Sequence, residues 1–130
     1  ARAFCAMKYL LFVALGGAGG AVARYLLGSL AHSLWAGAWP LGTFLVNLAG
    51  SAGIGAVFVL LERGSLHPDW RSVLMVGFLG AFTTFSTFSL ETVELWQQGE
   101  TALALAYVLA SVIGCVLAVA GTMYLLRSLT

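Results

Sequence analysis

Charge is what this sequence has least of. Its 130 residues include six Lys or Arg and five Asp or Glu, 8% together, against about 25% in typical soluble domains. Hydrophobic residues make up 61%. A soluble core of this size has no use for so much apolar side chain. The composition therefore excludes an ordinary soluble domain and points to a membrane protein, at a length that favours a single domain, 1–130. The net charge of +1 offers no basic field for nucleic acid. The two cysteines, Cys5 and Cys115, stand too far apart for a metal or redox motif and read as free thiols. Both histidines, His32 and His67, fall in expected loops without a partner motif, and read as solvated side chains. With no metal cluster and no nucleophile–base pair in the sequence, an enzyme has little support. No run of acidic side chains enters the apolar stretches, which excludes a cation filter built as a ring of carboxylates. There is no internal repeat, no soluble domain and no low-complexity tail.

What is present is hydrophobic length. A helix needs about 20 apolar residues to cross the hydrocarbon, and four windows qualify: 9–30, interrupted only by Arg24, then 41–61, 70–96 and 101–126. The first could imitate a signal peptide, but further apolar segments follow it, so it reads as an anchored helix. Met7-Lys8, preceded by "ARAFCA", is a candidate native start. "AHSLWAGAWP" (31–40), "ERGSLHPDW" (62–70) and "QQGE" (97–100) read as connections, with Pro40 set to open the second helix. Trp35, Trp39, Trp70 and Trp96 all fall at expected helix ends, where interfacial aromatics belong. Four crossings put both termini and the 62–70 loop on one side. Arg2, Lys8, Arg63, Arg71 and Arg127 lie there and only Arg24 leans the other way, so a positive-inside count places the termini in the cytoplasm.

Glycine is abundant, with 16 residues, mostly inside the spans. Gly16 and Gly20 have GxxxG spacing. Ala49, Gly53 and Ala56 mark the second helix, and Ala110, Gly114, Ala118 and Gly121 the fourth. Small residues so spaced let helix backbones approach closely in lipid.

The polar residues of the spans are ordered. Thr43, Asn47 and Ser51 recur every four residues in the second helix, and Tyr107, Ser111 and Cys115 do so in the fourth. Such spacing puts each set on one helix face. Thr84, Thr87 and Glu91 follow at i, i+3 and i+7 in the third, beside Phe85 and Phe88. Each has a plainer explanation. A membrane hydroxyl can bond its own i−4 carbonyl, Asn47 can glue two helices, and aromatic pairs at helical spacing usually pack. Three matching polar faces nevertheless favour a conduit. Its groups are amide, hydroxyl and thiol donors. An aromatic ring has a negative face and a positive edge, so Phe85 and Phe88 could offer two edges to an anion. "GFLGAFTT" (77–84) places two glycines and paired threonines in mid-span, where helix propensity is poor. A break there would free backbone carbonyls, which must find partners in protein, water or an ion.

Three blocks, "GGAGGAVARYLLG" (16–28), "WPLGTFLVNLAGS" (39–51) and "GFLGAFTTFSTFSLE" (77–91), together with the spacing to the following helix, carry a resemblance over nearly the whole chain. The sequence resembles the small fluoride channels, the Fluc or CrcB family. The resemblance implies an all-α membrane protein of four transmembrane helices, the third broken mid-membrane, paired in an antiparallel, dual-topology homodimer. It implies two passive fluoride pores, selective against chloride, in the bacterial inner membrane. Fluoride that entered as HF would leave through them, which limits its toxicity. It assigns Asn47 as donor to the anion, Phe85 and Phe88 as pore wall, and Thr43, Tyr107 and Ser111 as a polar track. Cys115 stands where related sequences often have Ser or Thr, and a thiol is the weaker donor. Thr84 and Thr87 line or support the path, and Glu91 matches a polar position at its edge, as a gate. Gly80 and Thr83 match positions whose backbone carbonyls hold a structural Na+ at the dimer centre. Arg24 matches a first-helix arginine, which either snorkels to headgroups or draws anions to a vestibule.

The excess of Lys and Arg on the termini side strains against dual topology, and a fixed orientation beside an oppositely oriented homologue is the alternative. Two other classes compete with this reading. A small multidrug-type proton antiporter needs a carboxylate deep in the first helix, which offers only Gly, Ala and an arginine there. A non-transporting scaffold explains the glycines but not three aligned polar faces.

Overall fold

A computed structural model of the chain describes residues 2–35, 37 and 39–130. Residues 36 and 38, inside the expected first connection, and residue 1, ahead of Met7, lie outside the described residues. The described residues form helices α1 (Arg2–Leu34), α2 (Leu41–Glu62), a π-helical segment Arg71–Leu79 that runs into α3 (Gly80–Phe82), α4 (Phe85–Gln97) and α5 (Thr101–Leu129), with no strand among them. Four stretches are long and apolar enough to cross a membrane: Arg2–Leu34, Leu41–Glu62, Arg71–Gln97 and Thr101–Leu129.

The outer helices run longer than their apolar windows. At 1.5 Å per residue, α1 is about 50 Å long against about 30 Å of hydrocarbon. Nothing between Leu30 and Leu34 breaks it, so it carries His32 in its last turn. The loop expectation for His32 is thus corrected: it stands on the helix, in its last turn. Pro40 caps α2 as expected, immediately before Leu41. Two glycines end helices. Gly64 (φ 75°) follows α2 and Gly99 (φ 82°) follows α4. Gly64 N–H bonds Leu61 O at 3.2 Å and Ser65 N–H bonds Leu60 O at 2.9 Å. Gly99 N–H bonds Trp96 O at 3.1 Å and Glu100 N–H bonds Leu95 O at 2.9 Å. Both are Schellman closures, which need a residue in the left-handed region.

The packing is backbone on backbone. α1 lies along the third span, and α2 along α5. A Cβ at Gly16 would overlap the Val73 carbonyl, and one at Gly20 the Phe78 carbonyl. From the other side, a Cβ at Gly77 would come within 2.8 Å of Val13 O. The Gly16/Gly20 spacing therefore does what small-xxx-small spacing does in lipid. On α2 the tight positions are Gly50 and Gly55. Gly55 meets the Thr122 hydroxyl and Val119 O, while Gly50 meets Thr83 Cγ2. Gly121 meets nothing within 4 Å, so not every glycine in the stripe is a contact. Long apolar side chains point outward, among them Leu11, Leu15, Val22 and Leu26 of α1 and Leu109, Ile113 and Leu117 of α5. That is an arrangement for lipid rather than water.

Ion pairs gather at the termini side. Lys8 Nζ lies 3.1 Å from Asp69 Oδ2, and Tyr9 Oη donates to Asp69 Oδ1 at 3.2 Å. Arg127 donates to Glu62 through Nε and Nη2, each at 3.1 Å. These contacts bring the start of α1 and the end of α5 to the 62–70 loop, as four crossings require.

Candidate functional site: a polar groove at an interrupted helix

The third span is where the backbone departs from helix. Thr83 (φ −84°, ψ 158°) and Thr84 (φ −149°, ψ 117°) are extended between α3 and α4. Gly80 itself is helical (φ −61°, ψ −37°). The departure falls at the paired threonines, after the glycines rather than on them. Gly50 permits it, because a side chain at that position of α2 would occupy the place of Thr83.

Two side chains take over the backbone groups that the departure exposes. Thr84 N–H donates to Asn47 Oδ1 at 2.8 Å, and Asn47 Nδ2 donates to Thr84 O at 3.1 Å. A backbone N–H can only donate, so this pair also fixes which way round the amide sits. Thr84 then caps α4: its hydroxyl accepts from Thr87 N–H at 3.2 Å, which is N-cap chemistry. In an unbroken helix Thr84 N–H would serve Gly80 O, and Thr87 N–H would serve Thr83 O. Both donors are spent elsewhere, so these two carbonyls lose their helical partners. Thr83 Oγ1 and Ser89 Oγ bond the i−4 carbonyls of Leu79 and Phe85, at 3.0 and 2.9 Å, the self-satisfaction open to membrane hydroxyls.

A groove of about 430 Å³ runs past this point. It gathers Asn47 and Ser51 from α2, Gly80, Thr83, Thr84, Phe85 and Phe88 from the third span, and Ser111 and Cys115 from α5. The rings of Phe85 and Phe88 lie 5.5 Å apart at 50°. Phe88 is buried, while Phe85 is 78% exposed. Gly50 and Leu79 also line the groove, and Met75, Ile54, Val112 and Val116 complete the wall. Sequence reasoning missed these four, because an apolar residue in an apolar span carries no signal of which side it faces.

Beyond Phe88 the track is closed by Tyr107, which is fully buried. Its ring packs 5.1 Å from Phe88 and 5.4 Å from Trp39. On its far side lies a second cavity of about 300 Å³ that holds Thr43 and Glu91, with Glu94, His32 and Trp39 in its wall. The expected stripe is therefore divided: Thr43 and Glu91 at one end, Asn47, Ser51, Ser111 and Cys115 at the other, and Tyr107 between. Tyr107 Oη, Ser111 Oγ and one Glu91 oxygen are buried without a partner among the described residues. Groups left so in an apolar setting are costly unless something binds them. Thr87 lines neither cavity. Arg24 lines neither; its pocket of about 460 Å³, with Tyr25 and Ser29, shares Gly28 and His32 with the second cavity, and its Nε is buried without a partner among the described residues.

The comparisons with known proteins agree with one another. A fluoride-specific ion channel of Hahella chejuensis is 48% identical over 122 residues, 93% of this chain and 96% of the relative. One of Shewanella amazonensis is 47% identical over 109 residues, 84% of this chain and 88% of the relative. One of Saccharophagus degradans is 50% identical over 104 residues, 79% and 77% respectively. The family described as CrcB-like protein, camphor resistance, matches residues 11–123. With the fold, the groove and these matches in hand, the chain belongs to the CrcB-like family.

Proposed function

We propose that this protein is a fluoride-selective ion channel, a passive transporter rather than an enzyme, set as a multi-pass protein in the bacterial inner membrane. The observation that carries the site is the groove beside Thr84, where Asn47, Ser111, Cys115, Phe85 and Phe88 line one space in an apolar bundle. Relatives named fluoride-specific ion channels along most of the chain give the ion.

Fluoride is strongly hydrated, and leaving water requires donors that replace its shell. Asn47 Nδ2 carries two N–H groups. One is committed to Thr84 O, and the second is the donor assigned to the anion. Ser111 and Cys115, on the facing helix, offer a hydroxyl and a thiol, and Phe85 and Phe88 offer ring edges. Tyr107, Thr43 and Glu91 continue the track, with Tyr107 as the constriction and Glu91 as its edge residue. The role of Thr87 is to let its N–H fix the cap, so that it supports the path rather than lining it. Arg24 stands outside the groove, as a vestibule charge.

The finer architecture is a third span broken in mid-membrane and two copies in antiparallel array. The open side of the groove supports a second copy. Phe85 is 78% exposed and Val112 53% exposed along it, and a single chain does not enclose a pore. Gly80 and Thr83 would hold a structural Na+ at the dimer centre. The residues fit it, since both carbonyls are among those that the extended residues deprive of helical donors. The ion would supply positive charge to otherwise unpaired oxygens and tie two helix breaks together.

Fluoride efflux from loaded liposomes tests the function. Passive efflux without a pH gradient, fast for fluoride and slow for chloride, is the expected result. Folded protein that releases no fluoride would overturn it.

A further inference from the structure

We propose that Cys115, together with Ser111, forms a binding site for a thiophilic metal ion on the wall of the groove, and that filling it blocks the path. The inference rests on the reading of this groove as the fluoride path.

Cys115 is a free thiol, partly buried, and its side chain lines the groove. Ser111 precedes it by one helical turn, so the two side chains stand about 5–6 Å apart at Cβ on one face. Ser111 is 6% exposed, and its hydroxyl has no partner among the described residues although it lines the same groove. A soft sulfur donor and an unused oxygen donor thus face one small space. Asn47 and Thr84 on the opposite wall offer hard amide oxygens, poor ligands for a soft metal, and both are already engaged. The Asn47 oxygen is held by Thr84 N–H and the Thr84 carbonyl by Asn47. No carboxylate lines the groove, and sulfur selects soft cations.

The step is a ligand exchange without redox. A neutral mercuric chloride molecule enters the groove, the S–H bond breaks and an Hg–S bond forms. One chloride leaves, and the thiol proton passes to water. Ser111 Oγ then coordinates weakly from its place one turn away. The bound metal occupies the space an anion must cross.

Cys5 is exposed and would also react, so the test uses full-length Cys5→Ser protein. Two measurements are made on the same proteoliposomes treated with mercuric chloride: intact mass and fluoride efflux. The expected result is a mass gain of one HgCl less one hydrogen, loss of efflux, and recovery of both by dithiothreitol. Cys115→Ser, whatever its own basal rate, should gain no mass and show the same efflux before and after treatment. Ser111→Ala should need more mercury for half block. An absent mass gain overturns the site. A mass gain with unchanged efflux overturns the block. Untreated protein that conducts no fluoride would instead sink the channel reading, while the mass measurement still decides whether the site exists.

Discussion

Asn47 and Thr84 bond each other twice, Nδ2 to carbonyl at 3.1 Å and backbone N–H to Oδ1 at 2.8 Å. One side chain thereby supplies the acceptor that Thr84 N–H lacks at the head of α4 and adds a second donor to its carbonyl. Asn47→Ala would leave Thr84 N–H without a partner, at about 1–3 kcal/mol. Asn47→Asp keeps the acceptor for Thr84 N–H but loses the donor and adds negative charge. We expect a clear fall in thermal stability for the alanine variant and a smaller one for the aspartate. Both should lose fluoride efflux. Melting curves in detergent beside liposome flux will separate the two effects.

Phe85 and Phe88 differ in burial, which splits their expected behaviour. Phe88 packs against Tyr107 at 5.1 Å, so Phe88→Ile should lower both stability and flux. Phe85 is 78% exposed, so Phe85→Ile should leave the melting temperature of the isolated subunit near wild type. It should still reduce efflux, because an aliphatic side chain offers no positive ring edge. Full efflux in Phe85→Ile would remove Phe85 from the path.

Gly20 should tolerate no side chain. Its Cβ would overlap the Phe78 carbonyl, and no flexible side chain is there to yield. Gly20→Ala is expected to cost about 1–3 kcal/mol, in the range of overpacking. Gly121→Ala, with nothing within 4 Å, should be neutral or slightly stabilising. Paired thermal melts will show whether the α1 contact is as tight as its geometry.

Asp69 should titrate below its ordinary 3.8, because the hydrogen bond from Lys8 favours its charged form. A depressed carboxylate stabilises the folded chain above the unfolded value, and that help is lost as pH falls through the folded one. The Lys8–Asp69 tie therefore holds at neutral pH and fails only in strong acid. NMR titration of the Asp69 carboxyl should show its pKa rise in Lys8→Ala, and high salt should narrow the difference. An unchanged titration curve would mean that Lys8 does not engage Asp69.

Much of this was legible beforehand, for identifiable reasons. The four spans could be read because lipid demands long uncharged helices, and the stripes because spacing of four fixes a face. The union of Asn47 with Ser111 and Cys115 in one groove followed from those faces. Other features left no trace in the pattern. The π-helical turn Arg71–Leu79 has the same composition as an α-helix. The extended residues are Thr83 and Thr84 and not the glycines, because the partner that stabilises them, Asn47, is 37 residues away from Thr84 in sequence. Tyr107 divides the track because Trp39 and Phe88 pack around it, and only tertiary structure can say so.

The glycine seam between α1 and the third span has a consequence for the groove. Where Gly16, Gly20 and Gly77 meet carbonyl oxygens directly, no side chain lies between the main chains to act as a cushion. The span that carries the groove is thus backed by main chain, which cannot yield by changing a rotamer. Widening the groove toward α1 would require whole helices to shift. Resistance to such widening is then a mechanical property of the scaffold, set one helix away from the residues that line the groove.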